Sequence, residues 1–251
     1  MFISSFSTWF APSKRCCPIC ARDAGKDASA AAVPLRNPAP RRIIASLCGM
    51  CRDAIPWIVH PACRICGRAE RCEDCVRRQR RSTVFSRCAV RYDDEMKEWL
   101  ALYKYRGHEG LETVMAAMLA FAYEQLRDAA RTDFQAIASV PLAPERLRDR
   151  GFNQAERLAL RLADWYRIPY RPMLVRLRHT EKQSLKSRRG RVVDMRGSFA
   201  ADPKALFSGN ILLIDDVYTT GSTLEECARA LRQAEAPNAP LRVYGLLWAR
   251  S

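Results

Sequence analysis

Two adjacent carboxylates and a run of hydroxyl groups mark the most chemically distinctive segment of the chain. Asp215 and Asp216 directly follow the four apolar residues 211–214. This run predicts a buried strand whose carboxyl end delivers both acids into the crevice where open α/β sheets bind ligands. The segment continues with Thr219, Thr220, Gly221, Ser222 and Thr223.

The hydroxyl-rich part of this segment predicts an anion site. Gly221 would let the backbone approach a ligand closely, and Ser222 and Glu225 have the spacing of a capping box that starts the next helix. A loop of exposed N–H groups that leads into a helix N-terminus suits one phosphate group. The sequence therefore predicts a phosphate site beside two carboxylates.

Two other interpretations of this segment explain less. A P-loop nucleotidase also places an Asp after such a strand, but it requires the pattern G-x-x-x-x-G-K followed by Ser or Thr. None of the seven lysines completes that pattern, which excludes this class. An ordinary strand–helix turn would not explain why two acids and a hydroxyl-rich loop occur together.

The cysteines form a second group with chemical potential, since nine of the eleven precede residue 76. Eight of them make four C-x2-C pairs: Cys17/Cys20, Cys48/Cys51, Cys63/Cys66 and Cys72/Cys75. Two such pairs close a tetrahedral zinc site, so the pattern predicts two structural zinc ions. A redox C-x2-C occurs singly on a βαβ unit, which disfavours that alternative. The pairs could combine sequentially or cross over, and Cys16 could replace Cys17.

Composition and charge limit the classes of protein. A hydrophobic fraction of 48% excludes a disordered or collagen-like chain. No apolar run approaches the ~20 residues of a spanning helix, and residues 1–14 lack the charge order of a secretion signal, so we expect a cytoplasmic protein without a membrane span. The net charge of +15 divides into +11 for residues 1–91, −4 for 92–140, +9 for 141–196 and −1 for 197–251. The basic blocks indicate either a polyanionic partner, such as phosphate or nucleic acid, or a solvated arginine-rich surface.

Periodic elements begin after residue 91. Apolar spacing predicts helices at 98–105, 111–127, 154–166 and 222–233 and strands at 136–140, 173–177, 211–214 and 242–248, with a basic loop at 183–196. Their alternation predicts an α/β domain with a parallel sheet covered on both faces. We therefore expect a Cys-rich zinc-binding module at residues 1–90, with a loose insertion at 21–42, followed by the α/β domain at 91–251.

The acidic segment resembles the phosphoribosyl pyrophosphate signature of type I phosphoribosyltransferases. The whole chain resembles the ComF family of competence-associated, phosphoribosyltransferase-like proteins. The motifs that carry this second resemblance are the cysteine pairs, Leu102-Tyr-Lys104-Tyr105-Arg106-Gly107, Val140-Pro141-Leu142, Arg146-Leu-Arg148-Asp-Arg150-Gly151-Phe152-Asn153-Gln154 and Thr180-x-x-Gln183. It implies a type I phosphoribosyltransferase-like sheet with flanking helices.

The resemblance also implies roles for individual residues. Asp215 and Asp216 would hold the ribose hydroxyls, which makes them the candidate catalytic residues, while the loop after them binds the 5′-phosphate. The turn at Pro141 and Leu142 would bind pyrophosphate with magnesium beside the cations of Arg146, Arg148 and Arg150, and residues 178–196 would form a mobile flap. The implied ligand-binding residues are Lys104, Pro141, Leu142, Arg148, Arg150, Asp215, Asp216, Val217, Thr219, Thr220, Gly221, Ser222 and Thr223. For Lys104, a surface position on an amphipathic helix is an equal alternative.

The function that the resemblance implies is a magnesium-dependent phosphoribosyltransferase, with an undetermined acceptor, associated with DNA uptake in natural transformation. The alternative is a non-catalytic protein that keeps this fold and binds single-stranded DNA through the +11 and +9 blocks. The implied partners are phosphoribosyl pyrophosphate, single-stranded DNA, the DNA-uptake machinery and a second copy of the chain.

Overall fold

The computed structural model describes residues 16–24, 35–77, 81–106, 109–177, 195, 197–203, 207–235 and 240–251. The elements in chain order are α1 (Pro38–Ala45), α2 (Gly49–Asp53), α3 (Glu73–Arg77), β1 (Thr83–Arg91), α4 (Asp94–Arg106), α5 (Glu109–Ala130), β2 (Ala136–Ser139), α6 (Pro144–Arg150), α7 (Gln154–Tyr166), β3 (Leu174–Arg176), β4 (Phe199–Ala201), β5 (Gly209–Tyr218), α8 (Ser222–Gln233) and β6 (Leu241–Arg250).

Four strands form a parallel sheet in the order β1-β6-β5-β2. Residues of β5 alternate between the two faces: Leu212 and Ile214 enter one core, and Ile211 and Leu213 enter the other. Helices α5 and α7 cover the first face, and α8 with the antiparallel pair β3-β4 covers the second. The prediction of an α/β fold with a parallel sheet between helices is confirmed.

Strand β1 differs from the sequence prediction, which contained no element at residues 83–91. It pairs in parallel with β6 and so belongs to the main sheet, although the sequence predicts that the periodic elements begin only after residue 91. The sequence of β1 lacks the regular alternation of apolar and polar residues that predicts a strand, because the polar residues Ser86 and Arg87 are both buried within it. The division of the chain between residues 90 and 91 stays a prediction, and β1 lies almost entirely before it in the sequence while pairing within the main sheet.

The Cys-rich segment lies across the outer edge of β1. Residues 56–58 pair with this edge, since Ile58 N–H donates to Ala89 and Arg91 N–H donates to Pro56. Cys17 and Cys48 enter the core on the α5 face, whereas Cys63, Cys66, Cys72 and Cys75 enter the core on the α8 face. The segment therefore contacts both layers of the domain and covers an edge that would otherwise be open to pairing.

The expected loose insertion at 21–42 differs from the structure in its final residues. Leu35 is buried, and α1 begins at Pro38 after the Asn37 side chain caps Ala39 N–H at 3.0 Å. The Glu124 carboxylate on α5 accepts hydrogen bonds from the backbone N–H groups of Arg36 (2.8 Å) and Asn37 (3.0 Å). A helix start with proline at its first position and a buried carboxylate partner fixes this stretch, which composition alone did not indicate.

Candidate ligand cleft and metal centres

The carboxyl ends of β2, β5 and β6 open into a cavity of about 540 Å³. Ten of the sequence-predicted ligand residues line it: Lys104, Pro141, Leu142, Arg150, Asp215, Asp216, Val217, Thr219, Gly221 and Thr223. Three do not: Arg148, Thr220 and Ser222. The structure thus brings together residues from α4, the β2–α6 turn, α6 and the β5–α8 turn.

The two acids at the end of β5 differ in their surroundings. Asp215 Oδ1 accepts the N–H of Asp216 at 2.9 Å, and Asp216 Oδ1 accepts the N–H of Val217 at 2.7 Å. Lys104 Nζ, from α4, lies 2.5 Å from Asp216 Oδ2. The lysine side chain therefore points into the cleft rather than outward from α4.

These surroundings separate the pKa values of the two acids. Burial and the nearby Asp216 carboxylate raise the pKa of Asp215 to about 8. Burial also opposes ionisation of Asp216, but Lys104, the Val217 N–H and Arg150 together outweigh it and hold the pKa of Asp216 below its ordinary value. The surroundings therefore favour the negative charge on Asp216 and the proton on Asp215.

The 219–223 loop connects β5 to α8 through one left-handed residue. Gly221 has φ +76°, and a Cβ there would collide with the Tyr218 ring, so only glycine fits. Thr219, Gly221 and Thr223 line the cavity, whereas the hydroxyls of Thr220 and Ser222 bond to each other at 2.7 Å.

The expected capping box is wrong. Gly221 is the N-cap of α8, so Ser222 is already within the helix. The Glu225 carboxylate instead accepts from Ser82 N–H (2.6 Å) and the Thr83 hydroxyl (2.5 Å) at the start of β1. Glu225 therefore bonds to residues that are distant in the sequence and not to the start of its own helix. The spacing of Ser222 and Glu225 could not indicate such partners.

Helix α6 places its arginines on two sides. Arg146 and Arg150, one helical turn apart, line the cavity, while Arg148 is exposed on the opposite side. The Arg150 guanidinium donates to Gln154 Oε1 at 2.8 Å and lies 5.3 Å from the centre of the Tyr105 ring.

Asn153, within one of the family motifs, has a positioning role. Its side-chain oxygen caps α7 by accepting Ala155 N–H at 3.1 Å, and its Nδ2 donates to the carbonyl oxygen of Val140 at 3.0 Å. The residue ties the start of α7 to the turn after β2. It thereby fixes the wall of the cleft that carries Pro141.

Several other residues line the cavity without having been predicted from the sequence, among them Tyr92, Lys97 and Arg176. Arg176 ends β3 and lies 5.2 Å from the centre of the Phe199 ring on β4. Burial and the neighbouring Arg146 lower the pKa of its guanidinium. Its position at the end of a short apolar strand was the available signal. The predicted flap at 178–196 and Thr180-x-x-Gln183 lie outside the described residues, apart from Met195.

The eight paired cysteines form two groups of four. The first cluster is Cys17, Cys20, Cys48 and Cys51, and the second cluster is Cys63, Cys66, Cys72 and Cys75. Within each cluster one sulfur from every residue lies within 4.8 Å of the others. Tetrahedral zinc with Zn–S bonds near 2.3 Å places its sulfurs about 3.8 Å apart, so both donor sets fit zinc. The pairs therefore combine sequentially, and exposed Cys16 is outside the first cluster.

The two clusters share one construction. The first pair of each lies in a tight turn closed by a residue with positive φ, Ala21 (58°) in one and Gly67 (74°) in the other. Each turn is closed by a backbone hydrogen bond, from Ala21 N–H to Cys17 and from Gly67 N–H to Cys63. The second pair lies at the start of a short helix, α2 or α3. Gly67 packs so closely on β1 that a Cβ would come 3.0 Å from the Arg87 Cα, which fixes the second cluster against the sheet.

No helix in the described part of the chain combines the length and the apolar character needed to cross a membrane. Fold and site together define an α/β protein with a ligand cleft at the carboxyl edge of a parallel sheet and two four-cysteine clusters that could bind zinc.

Comparison with known proteins gives the family. The chain is 31% identical to competence protein ComFC of Bacillus subtilis over 227 residues, which cover 87% of this chain and 89% of that protein. It is 29% identical to competence protein F of Haemophilus influenzae over 214 residues, which cover 80% and 89% of the two chains. The chain belongs to the ComF family of competence proteins.

Other comparisons are more distant. No family model matches the chain. A structure of glutamine phosphoribosylpyrophosphate amidotransferase from Bacillus subtilis, in complex with ADP and GMP, aligns with 48% of this chain and 24% of its own, with 18% identity and a TM-score of 0.30.

Proposed function

We propose that this protein binds phosphoribosyl pyrophosphate and transfers its phosphoribosyl group to a nitrogen acceptor, in a process linked to DNA uptake. One observation carries the proposal: a single cavity is lined by the two acids, the 219–223 loop and a cationic wall. A sugar with a phosphate at one end and pyrophosphate at the other requires these three features together. The names of the relatives support the link to competence.

Each part of the ligand has a matching group in the cleft. Asp216, ionised beside Lys104, accepts hydrogen bonds from a ribose hydroxyl, and Asp215 can donate or accept through its carboxyl group. The N–H groups of the 219–223 loop bind the 5′-phosphate. Arg146 and Arg150 on α6 face the pyrophosphate from the side of the β2–α6 turn.

The reaction follows from this placement. The bond from the anomeric carbon to pyrophosphate breaks, the leaving oxygen keeps the electron pair, and positive charge develops on the sugar ring. Arg146 and Arg150 stabilise the departing negative charge, while the acids keep the ring in position. The acceptor nitrogen then bonds to the anomeric carbon and loses a proton.

Two metals belong to the proposal. Magnesium, when bound with the substrate, would neutralise pyrophosphate charge, and the half-buried carboxylate oxygens of Asp215 and Asp216 suit a hard cation or the hydroxyls next to it. Zinc in the two cysteine clusters would be structural, because four thiolates leave no open coordination position.

Binding of phosphoribosyl pyrophosphate, measured by calorimetry with magnesium, tests this function. We expect the double variant Asp215→Asn/Asp216→Asn to lose binding, because the ribose hydroxyls lose their anionic acceptor. Asp149→Asn is the matched control, since Asp149 is exposed on α6 and does not line the cavity. Equal affinity of the wild type and the double variant would overturn the proposal. If binding depends on the two acids, pyrophosphate release with single bases and amines tests the transfer and identifies the acceptor.

A second candidate function is binding of single-stranded DNA without turnover. Exposed arginines on the Cys-rich segment favour it: Arg22, Arg41, Arg42, Arg64, Arg71 and Arg81. Phosphate contacts release counterions, so we expect affinity to fall steeply with salt. Replacing Arg41 and Arg42 on α1 with Ala should weaken binding and flatten this dependence. An affinity that is independent of salt, or absent, would eliminate this candidate.

A further inference from the structure

Arg250, near the end of β6, connects the second cluster to the ligand cleft. The residue is only 3% exposed. Its Nη1 donates to the carbonyl oxygens of Tyr218 and Thr219, both at 3.0 Å, and to that of Ser251. Its Nη2 lies 3.9 Å from Cys72 Sγ, and the guanidinium carbon lies 4.7 Å from the centre of the Tyr218 ring. One guanidinium thus holds both the start of the 219–223 loop and a cysteine of the cluster.

A buried guanidinium needs a compensating negative charge. Four thiolates around one divalent ion carry a net charge of −2. A second buried arginine, Arg87 on β1, donates to the carbonyl oxygen of Arg64 at 3.1 Å. Arg64 lies between Cys63 and Cys66, in the tight turn of the first C-x2-C pair of this cluster. Arg87 and Arg250 together supply +2, which matches the charge of the loaded cluster.

The first cluster offers an internal comparison. Its buried cysteines Cys17 and Cys48 belong to the core on the α5 face, on the other side of the sheet from the second cluster. Near this cluster, Arg22 donates to the sulfur of Met50, which lies between Cys48 and Cys51, at 3.0 Å. Unlike Arg250, Arg22 is exposed. The two clusters therefore have the same donor set but different connections to the cleft.

We propose that Arg250 is a positioning residue through which metal in the second cluster fixes the geometry of the 219–223 loop; the consequence for ligand binding rests on the function proposed above. The ion holds four sulfurs together and keeps Cys72 beside the guanidinium. When the ion leaves, the sulfurs separate and Arg250 loses its counter-charge. The carbonyl oxygens of Tyr218 and Thr219 then lose their shared donor, and the loop becomes mobile.

Amide hydrogen exchange across residues 218–223, measured on the full chain without ligand, tests the coupling. We expect Cys72→Ser to lose one zinc equivalent and to raise exchange in this segment about tenfold, which corresponds to one lost charge-assisted hydrogen bond. Cys48→Ser also loses one equivalent but should leave exchange of the segment within about twofold. Equal exchange in the two variants would overturn the proposal.

Arg250→Lys separates the arginine from the metal. The lysine keeps the charge beside the cluster but cannot reach both carbonyl oxygens and the sulfur with one rigid fork, so two zinc equivalents should remain while exchange at 218–223 rises. Unchanged exchange in this variant contradicts the proposal. Exchange of β2 amides at 136–139 reports global unfolding and should not change.

Ligand affinity gives the second readout. With phosphoribosyl pyrophosphate, Arg250→Lys and Cys72→Ser should weaken binding about tenfold relative to wild type. If wild-type protein does not bind this ligand, the proposed function fails, whereas the exchange comparison still decides whether the cluster and the loop are coupled.

Discussion

At the scale of single residues, the cleft derives its chemistry from unequal neighbours. Asp215 and Asp216 are adjacent on one strand, yet Lys104 forms its 2.5 Å ion pair with Asp216 and acts on Asp215 only from a greater distance. Two ionised carboxylates in this half-buried site would repel each other, so keeping both acids here is unfavourable for folding. Sites of function commonly carry such a cost in stability.

The raised pKa of Asp215 predicts a dependence of stability on pH. Its folded-state pKa of about 8 lies above the ordinary 3.8, so between these values the folded state binds more protons than the unfolded state. The free energy of unfolding therefore falls as pH rises from about 4 to 8 through this residue. The variant Asp215→Asn lacks this group, so its free energy of unfolding should not fall in this way. As pH rises from 5 to 8, the stability of the variant relative to wild type should therefore increase by more than about 1 kcal/mol.

Urea unfolding of both proteins at the two pH values measures this difference. Asp149→Asn, with an exposed side chain, is the control and should follow the wild type at both. A constant difference between Asp215→Asn and wild type would show that the acid is not buried in its neutral form.

The arrangement of α6 predicts unequal roles for its arginines. Arg146→Ala and Arg150→Ala should each weaken binding of phosphoribosyl pyrophosphate about tenfold, because each removes a cation from the cavity wall. Arg148→Ala should change affinity less than about twofold, since this side chain is exposed. Calorimetry of the three variants decides it, and an equal loss for Arg148→Ala would contradict the placement of these side chains.

At the scale of elements, sequence periodicity predicted what local pattern determines. Helices α7 and α8 have the predicted bounds, 154–166 and 222–233, because their apolar stripes and ends are encoded locally. Strand β5 runs to Tyr218 rather than ending at Ile214, since its pairing with β6 continues through the acids and past the apolar run. Position in the sheet, which only tertiary structure supplies, determined that length.

The parts of the site that escaped prediction depend on distant partners. Arg176 lines the cleft because the β3-β4 pair places it there, and Glu225 accepts a hydrogen bond from Ser82 N–H at the start of β1 instead of capping α8. The clusters were predictable because C-x2-C pairs report their donors directly, whereas Arg87 and Arg250 beside the second cluster carry no local signal. Sequence thus indicated the donors and the acids but not the residues that connect them.

Helix α1 predicts an effect on stability through Glu124. This carboxylate accepts two backbone N–H groups and the Tyr166 hydroxyl (2.7 Å), so Glu124→Ala leaves three donors without a partner. We expect a loss of about 3 kcal/mol in the free energy of unfolding. Asp128→Ala is the matched control, because its 2.8 Å ion pair with Arg36 is exposed and should contribute less than about 1 kcal/mol. Similar losses in urea unfolding would show that Glu124 does not fix α1 to α5.

At the scale of the whole molecule, the Cys-rich segment contacts both faces of the sheet. It places one cluster in each core and covers the β1 edge between them. The segment and the sheet therefore stabilise each other, although the segment has little apolar core of its own. Metal binding should contribute to the folding of both.

The composition of the two clusters predicts the metal content of the protein. Elemental analysis of the purified protein should give two zinc equivalents per chain, because each cluster has four sulfurs within 4.8 Å of one another. Cys17→Ser should retain one equivalent and Cys16→Ser should retain two, since Cys16 is exposed and outside the first cluster. The reverse result would assign Cys16 as the ligand.

The strand order β1-β6-β5-β2 has a consequence for synthesis of the chain. Strand β6 lies between β1 and β5, yet it is translated after the other described strands. On the ribosome, the cysteine pairs emerge first and can load metal early, while β1 and β5 wait with facing edges unpaired. Insertion of β6 closes the sheet and brings Arg250 to the 219–223 loop in the same event. The cleft is therefore completed only after β6 has been translated, and until then β1 and β5 carry facing strand edges that are open to wrong pairing.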